Sequence, residues 1–201
     1  MTDVNSRSSG RSMNERSQSA KAPQTQPGPD TQATCREQLI SCVELFFFSY
    51  RDFTNDADRV LEQYGFGRAH HRVLHFVNRN PGLRVADLLD ILKITKQSLA
   101  RVLKQLIDEG FVVQRSGKSD RRERLLHLTA KGNKLAERLV NLQIGRMAEA
   151  FEKAGPGADE VTARFLFAMI GEKDRARVQD LIWGMSRSGA PFDREQQRDQ
   201  T

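Results

Sequence analysis

The amino-acid sequence predicts a mainly α chain with a small β-hairpin wing, and three observations carry that prediction. Apolar residues recur at three- and four-residue spacing through most of residues 34 to 186. Two of these helical stretches are separated by only Lys93-Ile94-Thr95. Directly after them, two short β-prone segments bracket a run of cations in RSGKSDRRER, Arg115 to Arg124.

Composition narrows the classes. A chain of 201 residues with 38% hydrophobic side chains can bury one real core. The longest apolar run, Phe165 to Ile170, falls far short of the roughly 20 residues that span a bilayer, and the first thirty residues hold no secretion-type apolar stretch. The expectation is a cytoplasmic protein without membrane contact. Cys35 and Cys42 are seven apart on one predicted helix, about 10 Å along its axis at 1.5 Å per residue. That exceeds the roughly 7 Å a disulfide tolerates, so a reducing compartment is the simplest reading. No nucleophile with an adjacent base, no phosphate-cradling glycine loop and no paired catalytic carboxylates occur, so neither an enzyme nor a cofactor is expected.

Residues 1–33, rich in serine and proline, cannot offset the entropy of ordering and read as a disordered polar tail. From Cys35 to Tyr64 the pattern is helical. Leu39, Val43, Phe46 and Tyr50 form one row, and Ile40 and Phe47 a second beside it, a stripe wider than one packing partner requires. Asn55, Asp56 and Asp58 predict a break or a new cap before Val60. A second helix runs from Arg68 to Asn78, with Ala69, Val73, Phe76 and Val77 on one face, and Pro81-Gly82 ends it.

Val85, Leu88, Leu89 and Leu92 fit one short helix; Leu99, Val102, Leu103, Leu106 and Ile107 fit the next. Thr95 is placed to cap the second, and Gly110 followed by Phe111 matches a Schellman stop with Phe111 on Leu106. Phe111 to Gln114 and Arg124 to Leu128 then read as the two strands of a hairpin. A long helix follows Thr129 and breaks at Ala154-Gly155-Pro156-Gly157. Further helical sequence from Asp159 is interrupted near Gly171 and ends around Trp183 to Met185, leaving 187–201 as a polar tail.

Helix, tight turn, helix and cationic hairpin, in that order, make a winged helix-turn-helix over residues 68–129. Its second helix turns Lys96, Gln97, Ser98, Arg101, Lys104 and Gln105 away from the apolar face. A major groove about 12 Å wide admits one helix whose leading residues reach base edges. Arg101 has the fork to pair with guanine and Gln97 the amide to pair with adenine, while Thr95 and Ser98 suit phosphate oxygens. Arg115, Lys118, Arg121 and Arg122 crowd the hairpin, with Asp120 set to hold Arg122 by a local ion pair. Their repulsion is relieved if phosphates or a narrow minor groove lie opposite. Between Lys93 and Lys131 ten basic residues stand against four acidic ones, an excess equal to the net charge of +6 of the whole chain. The expected partner is double-stranded DNA.

The segment DRRERLLHLTAKG, Asp120 to Gly132, resembles the wing signature of the MarR family of bacterial transcription regulators, an Asp-x-Arg followed by Leu-Thr and then Gly. The preceding LLDILKITKQSLARVLKQLIDEGFV resembles that family's helix-turn-helix and strand. The resemblance spans most of residues 35 to 186. It implies a homodimer in which helices from 34–67 and 130–186 intertwine with a second copy. It also implies a pseudo-palindromic operator and a repressor released by a small molecule or an oxidant. The wide stripe of the first helix and the apolar faces of the last ones point to the same dimer.

Other readings stand beside these. Phe46, Phe47, Tyr50 and Phe66 are candidates to line an effector pocket, although an aromatic stripe is more often core. His71 and His75 have the i, i+4 spacing of metal ligands, with His70 adjacent, but Arg72 stands where a zinc protease carries glutamate and no third ligand lies near, so no metal site is assigned. Cys42 lacks the tyrosines expected around the thiol of the peroxide-sensing branch. The rival functions are a winged helix that docks on an acidic protein surface, or the same DNA-binding regulator triggered by metal or cysteine oxidation.

Overall fold

The structure, a computed structural model, describes residues 29–117 and 122–184, with side chains from residue 34 onward. Its elements are α1 (Pro29–Glu62), α2 (Arg68–Arg79), β1 (Leu83–Arg84), α3 (Val85–Leu92), α4 (Lys96–Asp108), β2 (Val112–Ser116), β3 (Arg124–Leu128), α5 (Ala130–Ala154), α6 (Ala158–Ala168) and α7 (Glu172–Trp183). The chain divides into two units, residues 1–45 and 46–201. The described part of the first is the N-terminal stretch of α1, where Cys35 and Cys42 are both exposed free thiols.

In the second unit the core gathers one side of each element. Ala57, Val60 and Leu61 of α1, Val73, Leu74 and Val77 of α2, Leu88 and Leu92 of α3, and Leu99, Leu103 and Leu106 of α4 are buried together with Leu135 and Leu139 of α5. Burying a Leu-sized side chain contributes about 1.5–3 kcal/mol, so these stripes dominate the stability of the unit. Tyr64 and Phe66 complete it from the α1–α2 turn, packing their rings on fully buried Phe111 at centroid distances of 5.4 and 5.1 Å.

The ends of α4 follow from its sequence. Thr95 Oγ1 accepts from the Ser98 amide at 3.1 Å, satisfying one of the first-turn donors. At the other end Gly110 takes φ +74°, the left-handed conformation that glycine tolerates. The Phe111 amide then donates to Leu106 O at 2.8 Å and the Gly110 amide to Ile107 O at 3.0 Å, the two bonds of a Schellman stop. Phe111 thus serves the stop, and the strand begins one residue later than its β-prone sequence implies.

Two expectations are corrected. The break at Asn55 to Asp58 does not occur: α1 continues to Glu62. Those carboxylates are engaged sideways instead of capping, Asp56 accepting from Arg146 Nη2 of α5 at 2.6 Å and Asp58 from Arg68 Nε at 2.9 Å. The hairpin also has a third strand. β1 pairs antiparallel with β3, Leu83 opposite Leu126 and Arg84 opposite Leu125, giving the order β1-β3-β2.

Thr129 joins the sheet to α5. Its hydroxyl accepts from the Gly132 amide at 3.0 Å and donates to Gly110 O at 2.7 Å. A Cβ on Gly132 would lie 2.1 Å from Phe111 O, so only glycine lets this helix start so close to β2. At the C-terminal side, α7 reaches α3: Arg177 Nη2 donates to Asp87 O at 3.1 Å, Arg177 Nη1 lies 3.3 Å from Asp90 and Lys93 Nζ 3.3 Å from Asp174.

Candidate nucleic-acid interface

The α3–α4 turn is made by Lys93, whose φ of +52° closes α3 in the left-handed region, and by Ile94 and Thr95. With Leu99, Val102, Leu103 and Leu106 buried on one side of α4, Lys96, Gln97, Ser98, Arg101 and Lys104 are all exposed on the other. Thr95 is exposed as well, its hydroxyl also bonded to Ser98 Oγ at 2.8 Å. Lys104 pairs with Asp108 one turn on, whereas Lys96 and Arg101 have no ion pair among the described residues. The α4 face therefore carries uncompensated positive charge and unspent donors.

The wing stands beside it. Val112 pairs with Leu128 and Arg115 with Leu125, and the Gly117 amide donates to Glu123 O at 3.1 Å, carrying the ladder to the hairpin's end. Arg115 on β2 and Arg122 at the foot of β3 are exposed. Lys118, Asp120 and Arg121 lie outside the described residues.

A brace toward the outer end of the wing has no counterpart among the residues singled out from the sequence. Arg84 donates to both Asp87 carboxylate oxygens, at 2.7 and 2.8 Å, and to Glu123 Oε1 at 3.3 Å. Its hydrogen bonds to Asp87 and then to Glu123 hold the Arg84 guanidinium above its ordinary range, and Arg84 in turn holds the Asp87 carboxyl below its own. The Arg-x-x-Asp spacing at the start of a helix was a legible sign of half of this bond; Glu123, 39 residues away, was not.

A cavity of about 290 Å³ opens between the C-terminal half of α1, α2 and α5, lined among others by Tyr50, Phe53, Arg68, His71, His75 and Gln143. Of the four residues expected to line a pocket, Tyr50 does so. Phe46 and Phe47 are exposed on α1, and Phe66 is buried in the core. Burial first, and then the neighbouring His75 charge, push His71 below its ordinary value, against the opposing pull of Asp58 and Gln143; burial does the same to His75. Among the described residues no three His, Cys, Asp or Glu side chains gather to hold a metal.

Comparison with known proteins fits this geometry. The MarR family model matches residues 64–123, from the turn before α2 to the residue before β3. Over 145 residues the chain is 50% identical to the HTH-type transcriptional regulator PetP of Rhodobacter capsulatus, covering 72% of this chain and 87% of PetP. The chain belongs to the MarR family. Solved structures agree on the fold at lower identity: the transcriptional regulator SlyA, 18% identical, has a TM-score of 0.55 over 64% of this chain and 90% of its own. S. aureus MepR in its DNA-binding conformation, 20% identical, has a TM-score of 0.56 over 63% of this chain and 94% of its own. Within the MarR family this protein is a transcriptional regulator with a winged helix-turn-helix fold, and its relatives' role is not enzymatic. No described helix is long and apolar enough to cross a membrane.

Proposed function

We propose that this protein binds duplex DNA as a homodimer, seating α4 in the major groove and the wing against the adjoining backbone, and represses transcription at a pseudo-palindromic operator. The observation that carries the reading is the exposed, uncompensated face of Lys96, Gln97 and Arg101 on a helix whose opposite side is locked into the core. The DNA-binding conformation named for S. aureus MepR, with the same fold, supports it. The dimer is supported by where apolar surface is left over. Among the described residues every exposed large hydrophobic lies on α1, α5, α6 or α7 or, as Met169 does, at the end of α6, and none on α2, α3 or α4. An effector would enter the α1–α2–α5 cavity, whose aromatic rings and Arg68 and Arg72 side chains suit a small anionic aromatic molecule.

The test is selection of binding sites from randomised duplex DNA with heparin as competitor. The reading expects an enriched inverted repeat with half-sites about one helical turn apart. Gln97→Ala and Arg101→Ala should change the enriched bases, and Arg122→Ala should weaken all duplexes alike. Heparin binding that abolishes any preference for DNA would favour a module that docks on acidic protein surfaces.

A further inference from the structure

The recognition helix is tied to the N-terminus of α2 by a polarised hydrogen-bond chain, and the geometry assigns His70 as the residue that sets its rotational position. This rests on the DNA-binding reading above. The Gly67 amide donates to His70 Nδ1 at 3.1 Å, so that nitrogen carries no proton and the neutral ring holds its proton on Nε2. His70 Nε2 lies 2.9 Å from Gln105 Oε1 and donates to it. The Gln105 amide passes the polarity on, Nε2 donating to Glu109 Oε1 at 3.1 Å. Flipping that amide would set its NH2 against the ring N–H and its oxygen against a carboxylate, so the direction of the whole chain is fixed.

The position of Gln105 gives the chain its consequence. Gln97, Arg101 and Gln105 are at i, i+4 and i+8 on α4, one strip of the helix surface about 12 Å long. The first two are exposed and the third is half-buried against α2. The apolar side of α4 locks it into the core, but each leucine and valine contact is by itself non-directional. A hydrogen bond at one end of the readout strip does have direction. It sets the angle at which Gln97 and Arg101 leave the surface, and specific base contacts demand that angle to within about 10–20°. The anchor is itself held, because the His70 ring lies flat on Phe66, 4.7 Å between centroids and 7° between planes, and Phe66 packs on Phe111 at the foot of the wing.

Two conservative variants separate this role from simple helix capping. In His70→Asn the side-chain oxygen replaces Nδ1 and keeps the Gly67 bond but does not reach Gln105; in His70→Gln the amide nitrogen replaces Nε2 and keeps the Gln105 bond. The full-length proteins are titrated against the duplex that wild type enriches from a randomised pool and against a scrambled duplex. Expected is a roughly five-fold loss of affinity for the enriched duplex in His70→Asn, the worth of about one neutral hydrogen bond, with His70→Gln close to wild type and scrambled DNA unaffected. Gln105→Ala should show the same loss, and adding it to His70→Asn should cost nothing more. It also keeps the proposal testable should His70→Asn not fold. In ¹⁵N spectra of the free protein the His70 signals, identified by their absence in His70→Asn, should be acceptor-like at Nδ1 and protonated at Nε2. The opposite tautomer, or His70→Asn binding as wild type while His70→Gln fails, would overturn the inference and leave DNA binding intact. A wild-type protein that enriches no duplex at all would instead overturn the functional reading on which it rests.

Discussion

Single residues in this protein are fixed by what they nearly touch. Gly132 illustrates it: the family-like Leu-Thr-Ala-Lys-Gly sequence ends in glycine because α5 begins against the Phe111 carbonyl, where a Cβ would sit at 2.1 Å. Gly132→Ala is expected to destabilise the protein by roughly 1–3 kcal/mol, the usual cost of forcing atoms into a packed site, read as a lowered urea midpoint. Thr129 supplies the matching contact by bonding Gly110 and Gly132 together. The exposed face of α4 was legible for the same local reason. Thr95, Lys96, Gln97, Ser98 and Arg101 follow a cap and an apolar stripe that the sequence displays within thirteen residues. The contacts of His70 and Arg84 were not, because their partners Gln105 and Glu123 are 35 and 39 residues away and only the fold brings them near.

Among elements, legibility tracks whether an element's reason is local. α4 is bounded by its cap Thr95 and by the stop at Gly110 because caps act within one turn, and both are visible in the sequence. The two-residue β1 has no periodicity of its own and exists only because β3 offers it an edge. The expected break in α1 failed because Asp56 and Asp58 find partners on α5 and α2, which a reading of spacing does not see. α2 carries a consequence for pH. His71 and His75 are pushed below their ordinary values chiefly by burial, so the folded protein keeps them neutral while an unfolded chain takes up protons near pH 6.5. Their contribution to stability is therefore complete above about pH 6.5 and is lost as pH falls below it. Asp52, Asp87 and Glu149 have lowered values, so their own losses fall below the usual carboxylate range, outside this window. Urea unfolding should show a lower midpoint at pH 5 than at pH 7.5, and the double variant His71→Gln, His75→Gln should flatten that difference. An unchanged pH dependence in the variant would remove the assignment.

For the whole molecule the division is between a lobe that satisfies its own apolar surface and helices that do not. Val161 and Phe165 of α6 and Met169 at its C-cap recur every fourth residue and are 57, 54 and 56% exposed, a stripe with no covering element among the described residues. If a second copy covers it, Phe165→Asp together with Met169→Asp should move the sedimenting species from two chains to one while the unfolding midpoint of the α2–α4 lobe shifts little. A native chain that sediments as one copy at micromolar concentration would count against the dimer. The wide stripe of α1 was readable as surplus from sequence. Which partner it meets was not, since self-complementarity is a property of two surfaces.

The most direct measurement is the salt dependence of binding to the enriched duplex, made in parallel for wild type and Arg101→Ala. If α4 and the wing neutralise several phosphates, the logarithm of affinity falls linearly with the logarithm of salt concentration, and Arg101→Ala binds more weakly with altered base preference. Affinity that ignores salt, or that is the same with and without Arg101, would contradict the placement of this helix on DNA.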